Sequence, residues 1–187
     1  MPIHLPADPP VVELAVQTVL WRVHPRDYDA LWFGRTGRYR FDAPNGEYGV
    51  CYFGASLGAA ILETVVRGRR VPTIPRAELD ARVASKVVPS VDLRLLQLEG
   101  AGLPSFGLSA HEVTGPDYSG CRDLALRAWR QHSGVDGIQY RSRWDNTVCW
   151  AIFDRAAAKL NVLGNLWLGD STVVVPALRP YKHVSVI

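Results

Sequence analysis

The sequence predicts an α+β fold in which sheets carry a few helices. Two observations predict it: segments that read as strands outnumber those that read as helices, and the two kinds do not alternate regularly, as a doubly wound parallel sheet would require. A third sets the scale. With 187 residues, 48% of them hydrophobic and 21% charged, this is an ordinary globular chain, long enough for one domain with a substantial core.

The elements follow in order. "MPIHLPADPP" is proline-rich, and residues 1–17 read as an N-terminal arm ahead of a domain over 18–187. "TVLWRVH" (18–24) alternates like a strand, with Val19, Trp21 and Val23 on one face and Leu20 and Arg22 on the other. "LWFGRTGRYRFDAPNGEYG" (31–49) mixes glycine, arginine and aromatics and reads as a long loop, of a length that in compact domains is often functional. "GVCYF" is a short apolar run that suits a buried strand and feeds a helix. Ser56 is placed to cap that helix and Gly68 to close it. Leu57, Ala60, Ile61, Thr64 and Val65 then form the core-facing stripe, and Glu63 points away from it, beside Ala59, Val66 and Arg67.

Further along, "SKVVPSVDL" (85–93) reads as a strand that Pro89 confines to an edge or a bulge, and residues 99–118 read as loop. "SGCRDLALRAWRQHSG" (119–134) predicts a second helix, capped by Ser119 and closed by Gly134. "DGIQYRSRWDN" (136–146) holds a short strand and a polar loop, and "TVCWAIF" (147–153) a strongly buried strand. "STVVV" and "KHVSVI" read as a closing hairpin around "RPY".

Composition removes several function classes. A net charge of +3 is too small to imply nucleic-acid binding by itself. Cys51, Cys121 and Cys149 form no CxxC pair and leave an odd one over, which suits reduced core thiols better than a disulfide frame or a zinc site. The start lacks the basic region of a signal peptide, and no apolar run approaches membrane-spanning length, so a cytoplasmic protein is expected. There is no GxGxxG after a strand, no phosphate loop and no HExxH; the five histidines lack ligand spacing, so no metal site is expected. "GLSA" around Ser109 is not a nucleophile elbow.

Three polar residues stand out for their apolar settings: Arg22 in a strand, Glu63 in a helix and Ser142 just before the strongest strand. Each has a plain structural reading. Arg22 could be half of an ion pair, Ser142 a turn former, and Glu63 could pair with Arg67 at i, i+4 for roughly 0.3–0.5 kcal/mol. Arg38, Arg40, Arg67, Arg69 and Arg70 could face an anion, although solvated loop arginines are commoner.

The order of these residues changes the weighing. "LWRVH", then "RYRFDAPNGEYGVCYFGASLGAAILET", then "DGIQYRSRWDN" running into "VCWAIFD" together resemble the RES-domain family, named for its characteristic Arg, Glu and Ser. The resemblance spans about residues 18–155 and falls on Arg22, Arg40, Tyr52, Glu63 and Ser142, with Asn146 a weaker match. It implies two small, mostly antiparallel sheets that form a cleft, as in the ADP-ribosyltransferases. It also implies a bacterial toxin of a type II toxin–antitoxin pair that consumes NAD, releasing nicotinamide by phosphorolysis or hydrolysis. One branch of the family instead transfers ADP-ribose to a protein. The implied partners are NAD and an Xre-type helix-turn-helix antitoxin that covers the cleft, with a homodimer within the complex. DNA would be met only through the antitoxin, and no membrane is involved. No cofactor is implied beyond NAD as substrate, with inorganic phosphate as a second substrate in the phosphorolytic case.

The chemistry of the residues is consistent with that. Cleaving the nicotinamide–ribose bond develops positive charge on the ribose, and nicotinamide leaves neutral, so one well-placed carboxylate serves better than an acid–base pair. Glu63 is therefore assigned to the ribose cation and Arg22 to phosphate or ribose positioning. Tyr52 is assigned to stacking, Ser142 to ligand orientation, and Arg40 to a second anion contact, since a guanidinium grips phosphate bidentately. A mono-ADP-ribosyltransferase is the first alternative. A nucleic-acid-directed toxin, motivated by the arginine-rich loop alone, ranks well below it because the aromatic spacing shows no RNA-binding signature.

Overall fold

The strongest apolar runs of the sequence sit at the centre of a sheet. The structure, a computed structural model, describes residues 3–67 and 73–187. Its strands are β1 (Val11–Leu14), β2 (Leu20–Pro25), β3 (Val50–Gly54), β4 (Thr73–Ile74), β5 (Arg82–Pro89), β6 (Leu93–Gln97), β7 (Gly137–Arg141), β8 (Val148–Phe153), β9 (Leu160–Trp167) and β10 (Ser185–Val186). Its helices are α1 (Leu57–Ile61), α2 (Arg76–Asp80), α3 (Ala110–Thr114), α4 (Ser119–Gln131) and α5 (Ser171–Leu178). The large sheet runs β1-β6-β7-β8-β3-β2-β5-β9, antiparallel except for β6 with β7, while β4 and β10 form a small parallel sheet. The fold is thus α+β and mostly antiparallel as expected, but of the two small sheets expected one is large, with eight strands among the described residues, and only the other, with two, is small.

Alternation along β3 and β8 sends side chains to two cores. Val50, Cys149, Ala151 and Phe153 join α4 and Phe41 on one face; Cys51, Phe53, Trp150 and Ile152 join Leu20 and Leu95 on the other. A third cluster packs Ile61, Val65 and Val66 against Leu79, Ala84, Val174 and Leu178. This last cluster holds the Glu63 segment in place.

Several sequence expectations need correction. The described residues of the expected arm pack on the fold: Val11–Leu14 pair with β6, and Ile3 and Leu5 lie against the core. Pro89 ends β5, which carries a bulge at Lys86/Val87 but is no edge strand, since β2 and β9 flank it. Residues 99–118 contain a 3-10 turn (Gly100–Phe106) and α3, whose Ser109–Glu112 capping box the loop reading missed. Ser119 does not cap α4; its backbone N–H instead bonds Asp117. The closing hairpin does not form. "STVVV" opens α5, capped by Asp170, because burial of Val174 and Leu178 outweighs the strand preference of its β-branched residues; β9 lies earlier, and β10 pairs with β4. Gly68, Arg69 and Arg70 lie outside the described residues.

Candidate active site

β2 and β3 meet at a single register pair, Trp21 with Gly54, and otherwise diverge. A cleft of about 460 Å³ opens at this split, within the range of ligand pockets. Arg22, Arg40, Tyr52 and Glu63 all line it, together with Tyr39, Arg67, Tyr118 and Tyr140. Ser142 and Asn146 do not line it.

Glu63 reaches the cleft on an irregular helix. α1 starts as expected, with Ser56 accepting the Ala59 N–H at 3.1 Å. Gly54 lets the helix start close over the end of β3, since a Cβ there would lie 3.0 Å from the Ala60 nitrogen. From Leu62 to Val66 the helix widens into a π-turn. Such turns gather at functional sites because they re-aim side chains. Here Val66 is buried and Thr64 exposed, the reverse of what a regular helix predicts. Arg67 is not paired with Glu63. It stacks over Tyr39 (4.7 Å to the centroid) and donates to the Tyr118 hydroxyl at 3.0 Å. Glu63 Oε1 is buried with no hydrogen-bond partner. A carboxylate oxygen in that state costs stability and is free to accept from, or face, a ligand.

The long loop is organised by Asp42, which the sequence reading did not single out. Its Oδ2 accepts from the Thr36 hydroxyl and the Arg38 and Tyr39 N–H groups, and its Oδ1 accepts from the Tyr52 hydroxyl at 2.9 Å. Tyr52 also accepts the Phe41 N–H, so its oxygen secures the loop while its ring lines the cleft, edge-on to Tyr39. Arg40 follows from this fixed loop. It is 6% exposed, lies over Tyr118 and Tyr140 at 5.4 and 5.6 Å, and leaves Nη1 buried without a partner. Arg22 differs. Its Nη1 crosses the split to the Ala30 carbonyl (2.8 Å) and the Cys51 sulfur, so that nitrogen ties the walls together rather than standing free for an anion.

Ser142 is 3% exposed and committed to its own turn. Its Oγ accepts the Trp144 N–H at 3.1 Å, and its backbone pairs with Thr147 and Asn146. Asp145 in turn accepts from Thr147 and from the Tyr181 hydroxyl at 2.6 Å; burial opposes its ionisation, but these bonds outweigh it and hold the carboxyl below its ordinary range. Asn146 takes a left-handed φ of 59°, which suits asparagine, and lines a separate cavity beside Glu99 and Arg141.

The field in the cleft is set by arginine. Burial alone would push the Tyr118 phenol up, but Arg67, Arg143 and Arg40 outweigh it and bring the phenol below its usual value. Burial, with the Glu63 charge adding to it, holds Tyr140 well above its own. Asp42 and Tyr140 fall inside the motif stretches "RFDAPNG" and "DGIQYRS" but are not singled out there, and Tyr118 carries no distinguishing signal until the fold gathers the three. Among the described residues, no cluster of His, Cys, Asp or Glu is placed to hold a metal ion, and no helix is long and apolar enough to cross a membrane.

Fold and cleft together define an α+β domain whose sheet splits around one half-buried acid among arginines and tyrosines. The chain belongs to the RES-domain family, whose description matches residues 19–168. Among solved structures it is similar to a chain of the MbcT–MbcA toxin–antitoxin complex of M. tuberculosis, with 20% identity and a TM-score of 0.69 over 83% of this chain and 85% of that one. At that identity the likeness shows the fold. No curated relative matches the sequence.

Proposed function

We propose that the protein is a bacterial toxin of a type II toxin–antitoxin system that degrades NAD by cleaving its nicotinamide–ribose bond. The observation that carries this reading is Glu63: a carboxylate with a buried, unpartnered oxygen, aimed into a cleft walled by aromatic rings and guanidinium groups. As the bond breaks, its electron pair leaves with the nicotinamide nitrogen and positive charge appears on the ribose. Glu63 is in place to stabilise that charge, and its free oxygen to accept from a ribose hydroxyl. The Tyr52 ring offers a face or edge to the nicotinamide, and Arg40 an unspent N–H to an anionic oxygen. Arg22 and Ser142 support the site rather than touch the reacting atoms: the first ties the cleft walls, and the second shapes the turn that Tyr181 links to α1. Water as acceptor gives ADP-ribose and a proton; inorganic phosphate gives the phosphorylated sugar. Membership of the RES family and the fold shared with a toxin–antitoxin complex support a cognate antitoxin as partner, here an Xre-type protein over the cleft.

The test is nicotinamide release from NAD by the purified chain, with and without inorganic phosphate. Turnover that depends on phosphate identifies phosphorolysis, turnover without it hydrolysis, and label retained on protein the ADP-ribosyltransferase alternative. Folded protein that releases no nicotinamide under any of these conditions removes the reading.

A further inference from the structure

Tyr118, just ahead of α4, is surrounded by positive charge. The guanidinium carbons of Arg40, Arg67, Arg122 and Arg143 lie 5.4, 5.7, 5.8 and 5.7 Å from its ring centroid. Arg67 and Arg143 both donate to its single oxygen, at 3.0 and 2.6 Å. Among the described residues none of the four takes part in an ion pair. Arg122 spends its Nε on the Tyr39 carbonyl, and the nearby Asp117 turns its carboxylate to the Ser119 N–H. Arg40 is nine-tenths buried with Nη1 unsatisfied.

Like charges crowded around one neutral ring repel, and a buried guanidinium with an empty donor is costly. Each arginine gains something from the aromatic face, but a shared phenol cannot neutralise them. What the arrangement lacks is a compact anion with several oxygens. The cluster borders the Glu63 cleft, since Arg40, Arg67 and Tyr118 all line it.

We propose that Arg40, Arg67 and Arg143, arrayed around Tyr118, form a subsite for a phosphate group. The tetrahedral oxygens of phosphate match forked guanidinium donors, and its double negative charge matches the excess positive charge. Arg122 adds charge from outside the ring. The anion preference stands on this geometry alone, whereas the part the phosphate plays rests on the proposed NAD chemistry. It is either the free phosphate that attacks the ribose or the pyrophosphate of the dinucleotide.

Calorimetric titration of the full chain with inorganic phosphate, in the absence of NAD, tests the subsite. Saturable binding is expected, displaced by sulfate but not by chloride at equal ionic strength. Arg67→Ala and Arg143→Ala should each weaken it by about tenfold or more, with Arg143→Lys intermediate because it keeps the charge but loses the fork. Phosphate that binds alongside NAD and speeds nicotinamide release is the acceptor; phosphate displaced by NAD and by pyrophosphate marks the dinucleotide's own pyrophosphate site. Both outcomes support the subsite. The wild-type competition needs no variant to fold, and absence of saturable phosphate or pyrophosphate binding there overturns the proposal, as does unchanged affinity in both folded alanine variants. Phosphate binding without any nicotinamide release would keep the subsite and sink the NAD reading. Nicotinamide release without anion binding would do the reverse.

Discussion

Glu63 and Ser142 are both polar residues set into apolar surroundings, yet the fold treats them oppositely. The hydroxyl oxygen of Ser142 accepts a partner within its own turn, and its residue is closed off from the cleft. Glu63 has a buried oxygen with no partner, on a helix whose π-turn spoils both its regular packing and its expected pairing with Arg67. A satisfied buried polar group holds structure together, while an unsatisfied one beside a cavity costs stability that only a ligand can return. On the proposed function, the acid is the group left open to a ligand and the serine is part of the scaffold.

The largest effect that could break this contrast is at the acid. Glu63→Gln keeps the shape and removes the charge, so nicotinamide release should fall by roughly 10²–10³-fold, the scale of losing one preorganised electrostatic stabiliser. Its melting temperature should be equal to or above that of the parent, because an unpaired buried charge has been removed. Undiminished turnover in the folded variant would leave the acid without a role.

Ser142→Ala should show the opposite profile. It strands the Trp144 N–H, costing roughly 1–3 kcal/mol in denaturant unfolding, while turnover of the folded fraction stays within a few-fold of the parent. A hundredfold loss of turnover at unchanged stability would place the hydroxyl on the ligand after all.

How much of this was legible in the sequence depended on the range of the interactions involved. The β3 strand and its Ser56-capped helix are local, and so were readable; so was the α+β class, because it rests on counting elements. The π-turn arises where Val65 and Val66 pack against Leu79, Val174 and Leu178, contacts made across long separations in the chain. The helix at "STVVV" was misread for the same reason, its valines being drawn into a core that propensity does not register. At the site, the motif order brought Arg22, Arg40, Tyr52 and Glu63 to one cleft, but it said nothing of whether each donor was free or spent. Arg22 Nη1 is spent on Ala30 and Cys51, Arg40 Nη1 is free, and only three-dimensional partners separate the two.

His24 offers the smallest and most specific check, since it is a buried titratable group on the strand that also carries Arg22. Its Nδ1 lies 2.9 Å from the Pro25 carbonyl, so that nitrogen carries a proton, and Nε2 lies 2.7 Å from Ser85 Oγ, whose single proton is donated to Asn165 Oδ1, 2.7 Å away on β9. Burial pushes the imidazole below its ordinary value of 6.5, the Arg22 charge adds to that, and the Pro25 carbonyl and Asp29 only partly oppose it. A base whose folded pKa is depressed binds fewer protons folded than unfolded as pH falls below 6.5. Its contribution to stability is therefore complete above that pH and is lost progressively as pH falls toward the folded value, by at most about 1.4 kcal/mol per pH unit. In His24→Gln the fall in unfolding free energy below pH 6.5 should be shallower than in the parent. Parallel curves would mean that folding leaves the proton affinity of the imidazole unchanged, and a steeper fall in the variant would mean that the strand beneath Arg22 holds it charged.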